Sequence, residues 1–130
     1  MNPTSVTLTL LTGEMAGHEY EFHEPAVYVL GRAEECYPRL PDDAEHQDVS
    51  RHHCLLSINP PEVWVQDLGS KNGTYVNGDK IGQRMRLGTD DAAINVHPGD
   101  RRLLRDGDEI SLGRHTALRV GVRVLQAVGV

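Results

Sequence analysis

Apolar residues recur at every second position in several short stretches of this chain. In SVTLTLL, residues 5–11, Val6, Leu8 and Leu10 alternate with Thr7 and Thr9, the period of two that a half-buried strand requires. The alternation resumes in EYEFH (19–23) after a turn-like TGEMAGH, and AVYVL (26–30) is a short apolar run ending at Gly31. CLLSI (54–58) puts Cys54, Leu56 and Ile58 on one face and stops at Asn59-Pro60-Pro61, because proline cannot donate to a ladder. EVWVQDL (62–68) follows, with Trp64, the single tryptophan, read as core or inter-sheet packing. TYV and DKI flank Asn77-Gly78, the strongest short-range hairpin signal. Towards the end, EISLG (109–113) reads as a strand. ALRVGVRV (117–124) then sets Leu118, Val120, Val122 and Val124 against Arg119, Gly121 and Arg123.

No stretch of ten or more residues repeats at 3.6, and residues 82–109 show turn residues and apolar islands without a convincing helix. Many short strands separated by turn signals predict an all-β sandwich or barrel. A chain of 130 residues fits one domain with a core that needs no disulfide staples. The net charge of −6 disfavours nonspecific nucleic-acid or anionic-membrane binding, while leaving room for one local basic site. Two cysteines, Cys36 and Cys54, without a CxxC pattern fit reduced thiols in a cytoplasmic protein. Neither a signal peptide nor an apolar run of about 20 residues is present. The chain closes on the apolar VLQAVGV, as expected of a domain cut from a longer protein.

The densest chemistry lies in DVSRHHCLLSI, residues 48–58. Consecutive His52, His53 and Cys54 alternate faces in a strand and cannot converge on one metal ion. Ser50 with His53 and Asp48 lacks the nucleophile-elbow and oxyanion signature of a hydrolase. An anion cradle fits better once LGR (30–32), SRHH (50–53) and DLGSKNGTYVNG (67–78) are taken together. Arginine offers a fork of donors matched to phosphate oxygens, and serine adds a hydroxyl. Lysine adds charge, and asparagine beside glycine can grip an extended backbone.

Gly31-Arg32, Ser50-Arg51-x-His53, Asp67-Leu68-x-Ser70-x-Asn72-Gly73-Thr74 and Val76-Asn77-Gly78, in this order, resemble the signature of the forkhead-associated (FHA) domain. LRDGDEISLG (104–113) is similar to that family's penultimate-strand segment. The likeness spans about residues 6–124 and implies one domain over 1–130. Its expected fold is an FHA-like β-sandwich of about eleven strands, with binding loops at one end. It further implies a non-catalytic module, with neither cofactor nor metal, that binds phosphothreonine in a partner protein. Arg32 takes the phosphate, Ser50 and Arg51 complete its shell, and Asn72 holds the ligand backbone. His53, Gly31, Gly73, Asn77 and Gly78 structure the loops. A serine/threonine kinase, or another domain of the same chain, is the implied partner.

Two features depart from the pattern. Lys71 stands where many members carry a hydroxyl residue, so it either contacts phosphate by charge or leaves only its backbone at the site. The acidic stretch between Arg32 and Ser50 is long and reads most simply as a solvated loop. An insertion at 83–103 carries Arg84, Arg86, Arg101 and Arg102 near its ends and reads as ordinary surface. The competing function is a phosphate-independent interaction domain using the sandwich faces.

Overall fold

A computed structural model describes residues 4–86, 93–96 and 100–124. Among them are eleven strands and one short 3-10 turn, Ala44–His46. The strands are β1 (Thr4–Leu10), β2 (Glu19–Phe22), β3 (Ala26–Leu30), β4 (Cys54–Asn59), β5 (Glu62–Asp67), β6 (Thr74–Val76), β7 (Asp79–Arg86), β8 (Ala93–Val96), β9 (Arg101–Leu104), β10 (Glu109–Leu112) and β11 (Thr116–Val124). They form a seven-stranded sheet ordered β2-β1-β11-β10-β6-β7-β8 and a four-stranded sheet ordered β3-β4-β5-β9. Every pairing is antiparallel.

The alternation seen in the sequence becomes the core. Val6, Leu8 and Leu10 of β1, Cys54, Leu56 and Ile58 of β4, and Leu118 and Val120 of β11 are all buried. They meet Val63 and Val65 of β5 and Ile110 and Leu112 of β10 in one cluster. Pairings such as Val6↔Val122 and Leu56↔Val65 keep the apolar sets on the inner faces, where a one-residue slip would turn them outward. Val124 ends its strand half-exposed. Asn77 and Gly78 both take positive φ, which a type I′ hairpin turn requires. Cys36 and Cys54 are free and buried, and burial pushes the Cys54 thiol far above its ordinary range. Among the described residues no helix is long and apolar enough to cross a membrane.

Three sequence expectations need correction. Residues 82–109 hold strand structure that periodicity did not reveal. Strand β7 outruns β6, and its last four residues pair with β8 at the edge of the seven-stranded sheet. Strand β9 is a sheet edge burying only Leu104. Trp64 is not core: it lies on the outer face of β5 between inward-facing Val63 and Val65, and Arg101 stacks 4.6 Å above its ring. The acidic stretch after Arg32 is not merely solvated. Ala33, Cys36, Leu40, His46 and Val49 anchor it in the protein, leaving Glu34, Glu35, Asp42, Asp43 and Glu45 exposed. The described arginines of the insertion stay at the surface: Arg101 stacks on Trp64, and Arg102 faces Asp79 at 3.4 Å. The side chain of Arg86 lies outside the described residues.

Candidate functional site

Three connections gather at one end of the sandwich: 31–53 between β3 and β4, 68–73 between β5 and β6, and 113–115 between β10 and β11. At Gly31 the chain passes so close to its return that an added Cβ would lie 2.1 Å from the Arg51 carbonyl oxygen. Only glycine fits this approach. It brings the Arg32 and Ala33 amides onto the carbonyls of Ser50 and Arg51, at 3.3 and 3.0 Å. The Arg32 side chain, 20% exposed, is then aimed by its own bonds. Its Nε donates to the Val49 carbonyl at 2.5 Å and its Nη1 to the Asp42 carboxylate at 2.5 Å.

His53, fully buried, joins the first two loops. Its Nδ1 accepts the Ser50 amide at 3.0 Å, so that nitrogen carries no proton, and its Nε2 donates to the Gly73 carbonyl at 2.8 Å. The ring is therefore a neutral Nε2–H tautomer. Burial drives its pKa below the ordinary range, against the smaller pull of the Gly73 carbonyl and of Asp67 and Asp48. With both nitrogens committed, His53 cannot serve as a base for Ser50. The Ser50 hydroxyl oxygen instead accepts the Lys71 amide at 3.0 Å, which leaves its O–H free to donate outward.

The second loop is organised by Asp67. One carboxylate oxygen accepts the Gly69 and Ser70 amides at 2.8 and 3.0 Å, and the other accepts the Ser70 and Thr74 hydroxyls at 2.5 and 2.6 Å. Buried Ser70 in turn accepts the Gly73 amide at 3.0 Å. Lys71 and Asn72 project from this fixed turn. The Lys71 carbonyl accepts from Gln83 Nε2 at 2.8 Å, while its side chain is exposed. Asn72 donates through Nδ2 to the Asp48 carbonyl at 3.0 Å, keeping its side-chain oxygen for another partner.

Arg51 and His52 face solvent. His52 contacts Glu35, whose carboxyl is held below its usual range by a bond to its own backbone and by His52. Asp48 fixes the third loop, accepting the His115 amide at 2.6 Å and the Thr116 hydroxyl at 3.0 Å.

Arg32, Ser50, Arg51, Lys71 and Asn72 thus share one end of the fold, with Gly31, His53 and Gly73 in the hydrogen-bonded frame beneath them. Asn77 and Gly78 are not part of that frame. They lie beyond the opposite end of β6, where Asn77 bonds Asp108 and Glu109. The sequence reading named Asp67 and Asp48 without giving either its loop-fixing role, and did not single out Asp42. Asp67 was legible, since Asp-x-Gly-Ser is an Asx-turn composition; the other two carry no local signal. Among the described residues, Asp43, Glu45 and His46 bring three potential metal-ligand atoms within 4.8 Å of one another. The Asp43 carboxylate, however, already caps the 3-10 turn and holds His46 Nδ1 at 2.7 Å.

A sequence profile of the FHA domain matches residues 28–113. FhaA of Mycobacterium tuberculosis is 33% identical over 101 residues, 72% of this chain and 18% of that protein. The oxoglutarate dehydrogenase inhibitor of Corynebacterium efficiens is 32% identical over 110 residues, 85% of this chain and 61% of that one. The chain therefore spans less than two thirds of each relative. Among solved structures, one from a study of phosphothreonine-dependent FHA domain interactions superposes with a TM-score of 0.67 at 31% identity, covering 93% of this chain and 99% of the other. The FhaA FHA domain, solved with the intracellular domain of a second protein, gives 0.63 at 30% identity, covering 88% and 98%.

Proposed function

The chain belongs to the FHA-domain family, and from that premise we propose that its loop cradle binds phosphothreonine in a partner protein as a non-catalytic recruitment module. The observation that carries this reading is the convergence of Arg32 with the outward hydroxyl of Ser50, fixed through buried, neutral His53. A phosphate brings close to two negative charges and three acceptor oxygens. Arg32 supplies paired donors, and Ser50 supplies one more. Exposed Arg51 and Lys71 lend charge from either side. Asn72 retains an amide oxygen for a ligand backbone N–H. Because Arg32 and Ser50 are held before any ligand arrives, little ordering entropy opposes binding.

The partner is a protein phosphorylated by a serine/threonine kinase, in the cytoplasm, or another domain in the same chain. A phosphothreonine-oriented peptide library tests the site, the modification and the sequence preference together. Wild type should retain phosphorylated members and release them after phosphatase treatment, and Arg32→Ala should retain none. Retention indifferent to phosphatase would replace this reading with a phosphate-independent interface.

A further inference from the structure

The short 3-10 turn Ala44–His46 meets the β1–β2 connection at Gly13. His46 is 1% exposed there, and its Nε2 has no hydrogen-bond partner among the described residues. A buried polar atom left unpaired costs free energy, and folded proteins ordinarily give such atoms a partner. We propose that this partner is a divalent transition-metal ion, zinc by the chemistry of its donors, bound by His46 Nε2 and the Glu45 carboxylate. The proposal is independent of the phosphothreonine reading.

The two donors surround one point. A Cβ added at Gly13 would lie 2.6 Å from Glu45 Oε2 and 3.2 Å from His46 Nε2, so the room that glycine leaves is the room between them. Gly13 also takes a φ of 78°, where a side chain would be strained as well as crowded. Glu45 is turned to this side because its Oε2 accepts the Glu14 amide at 3.0 Å, and a carboxylate so engaged still has lone pairs to give.

Asp43 supplies the orientation. Its Oδ1 accepts the Glu45 and His46 amides at 3.0 and 3.1 Å and lies 2.7 Å from His46 Nδ1. A carboxylate oxygen that receives backbone amides is an acceptor, so the ring proton sits on Nδ1 and the Nε2 lone pair faces the space beside Gly13. A carboxylate on the remote nitrogen is the common outer partner of a metal-bound histidine, fixing its tautomer and raising its basicity. Asp43 is thus a positioning residue.

Imidazole nitrogen with carboxylate oxygen suits zinc and its neighbours, whereas calcium and magnesium take shells of oxygen. Ligand atoms of Asp43, Glu45 and His46 lie within 4.8 Å of one another. Zinc holds its ligands at about 2.0–2.2 Å, so a small swing of the exposed Glu45 side chain completes the pair, with water in the open positions. A net charge of −6 favours the cation. The bound ion would clamp the β1–β2 connection to the loop that carries Arg32, for the His46 carbonyl accepts the Val49 amide at 3.0 Å and the Val49 carbonyl accepts Arg32 Nε.

The experiment is calorimetric titration of zinc chloride into the chelator-stripped full chain in phosphate-free buffer, with the thermal unfolding midpoint followed in parallel. One equivalent should bind, and the midpoint should rise with zinc concentration. Calcium chloride and magnesium chloride should do neither. Glu45→Gln, an exposed replacement, should weaken zinc binding at least about tenfold, the least that even outer partners of a ligand are worth, and His46→Gln should abolish it. In nitrogen-15 spectra of the imidazole rings, zinc should shift His46 Nε2 while Nδ1 keeps its proton. Should His46→Gln fail to fold, Glu45→Gln and the Nε2 resonance decide alone. Zinc that leaves Nε2 unmoved, or that binds the variants as it binds wild type, sits on other histidines and overturns the site. An equal response to calcium overturns the role of the nitrogen, and folded wild type that takes up no zinc overturns the proposal outright.

Discussion

At the scale of single residues, Arg32, the arginine proposed to take the phosphate, is not vacant in the free protein. Asp42, itself 57% exposed, holds Arg32 Nη1, so a phosphate must displace a carboxylate before it gains the full guanidinium fork. Asp42→Asn should therefore bind a phosphothreonine peptide about twofold to fivefold more tightly, the range of a solvent-screened ion pair, by isothermal calorimetry. An unchanged affinity would show that Asp42 does not compete. Arg32 itself was legible in the sequence because Gly-Arg precedes a second arginine-bearing loop. Asp42 was not, since a carboxylate in an acidic loop finds its partner only when Leu40 and Val49 fold that loop back onto the core.

At the scale of elements, the recognition loops are rigid because side chains substitute for the backbone ladder that ends at β5 and β6. Asp67 makes four such bonds, and hydrogen bonds to a charged group are the strong ones. Asp67→Ala should lower unfolding stability by at least about 2 kcal/mol, read as a shift of the urea midpoint, and should weaken phosphopeptide binding as well. The Asn77-Gly78 turn supplies the contrast. Asn77→Ala places alanine at a φ of 49° and removes bonds to Asp108 and Glu109, costing about 1 kcal/mol. Phosphopeptide affinity should not change, because that turn is separated from the cradle by the length of β6. An equal loss of affinity in both variants would contradict this division. Strands were legible wherever one face is buried, as in β1, β4 and β11. They were illegible in β9, a sheet edge where only Leu104 is buried and periodicity has little to record.

At the scale of the whole molecule, His53 couples the cradle to folding. Its folded-state pKa lies below the ordinary value because burial disfavours the cation, while the unfolded chain titrates near about 6.5. Above that pH neither state binds the proton and stability is flat. As pH falls below it the unfolded state takes the proton first, and stability declines until the folded pKa is reached, by up to about 1.4 kcal/mol per pH unit. Urea midpoints measured from pH 7.5 to 5.0 should follow that course, and His53→Gln should give a shallower slope; an identical slope would remove His53 as its source. Protonation also breaks the Ser50 amide bond to Nδ1, so the cradle loosens over the same window. Glu35 and Asp43, whose pKa values are lowered by hydrogen bonds, act in a separate, more acidic range. Their stabilising effect is present above the usual carboxylate pKa and lost as pH falls through the folded values.

The chain's acidity belongs to the same scale: at −6 overall, affinity for a phosphopeptide rests on a few local cations and should fall as added salt screens them. The central claim is that Arg32 receives phosphate carried on threonine. Calorimetric titration of one peptide in its phosphothreonine and unmodified forms, against wild type and Arg32→Ala, tests it most directly. Wild type should bind only the phosphorylated form, and loss of the arginine should weaken that binding more than tenfold, from the roughly 1.5–3 kcal/mol of a charged hydrogen bond. Equal affinity of Arg32→Ala for the phosphopeptide would contradict the account.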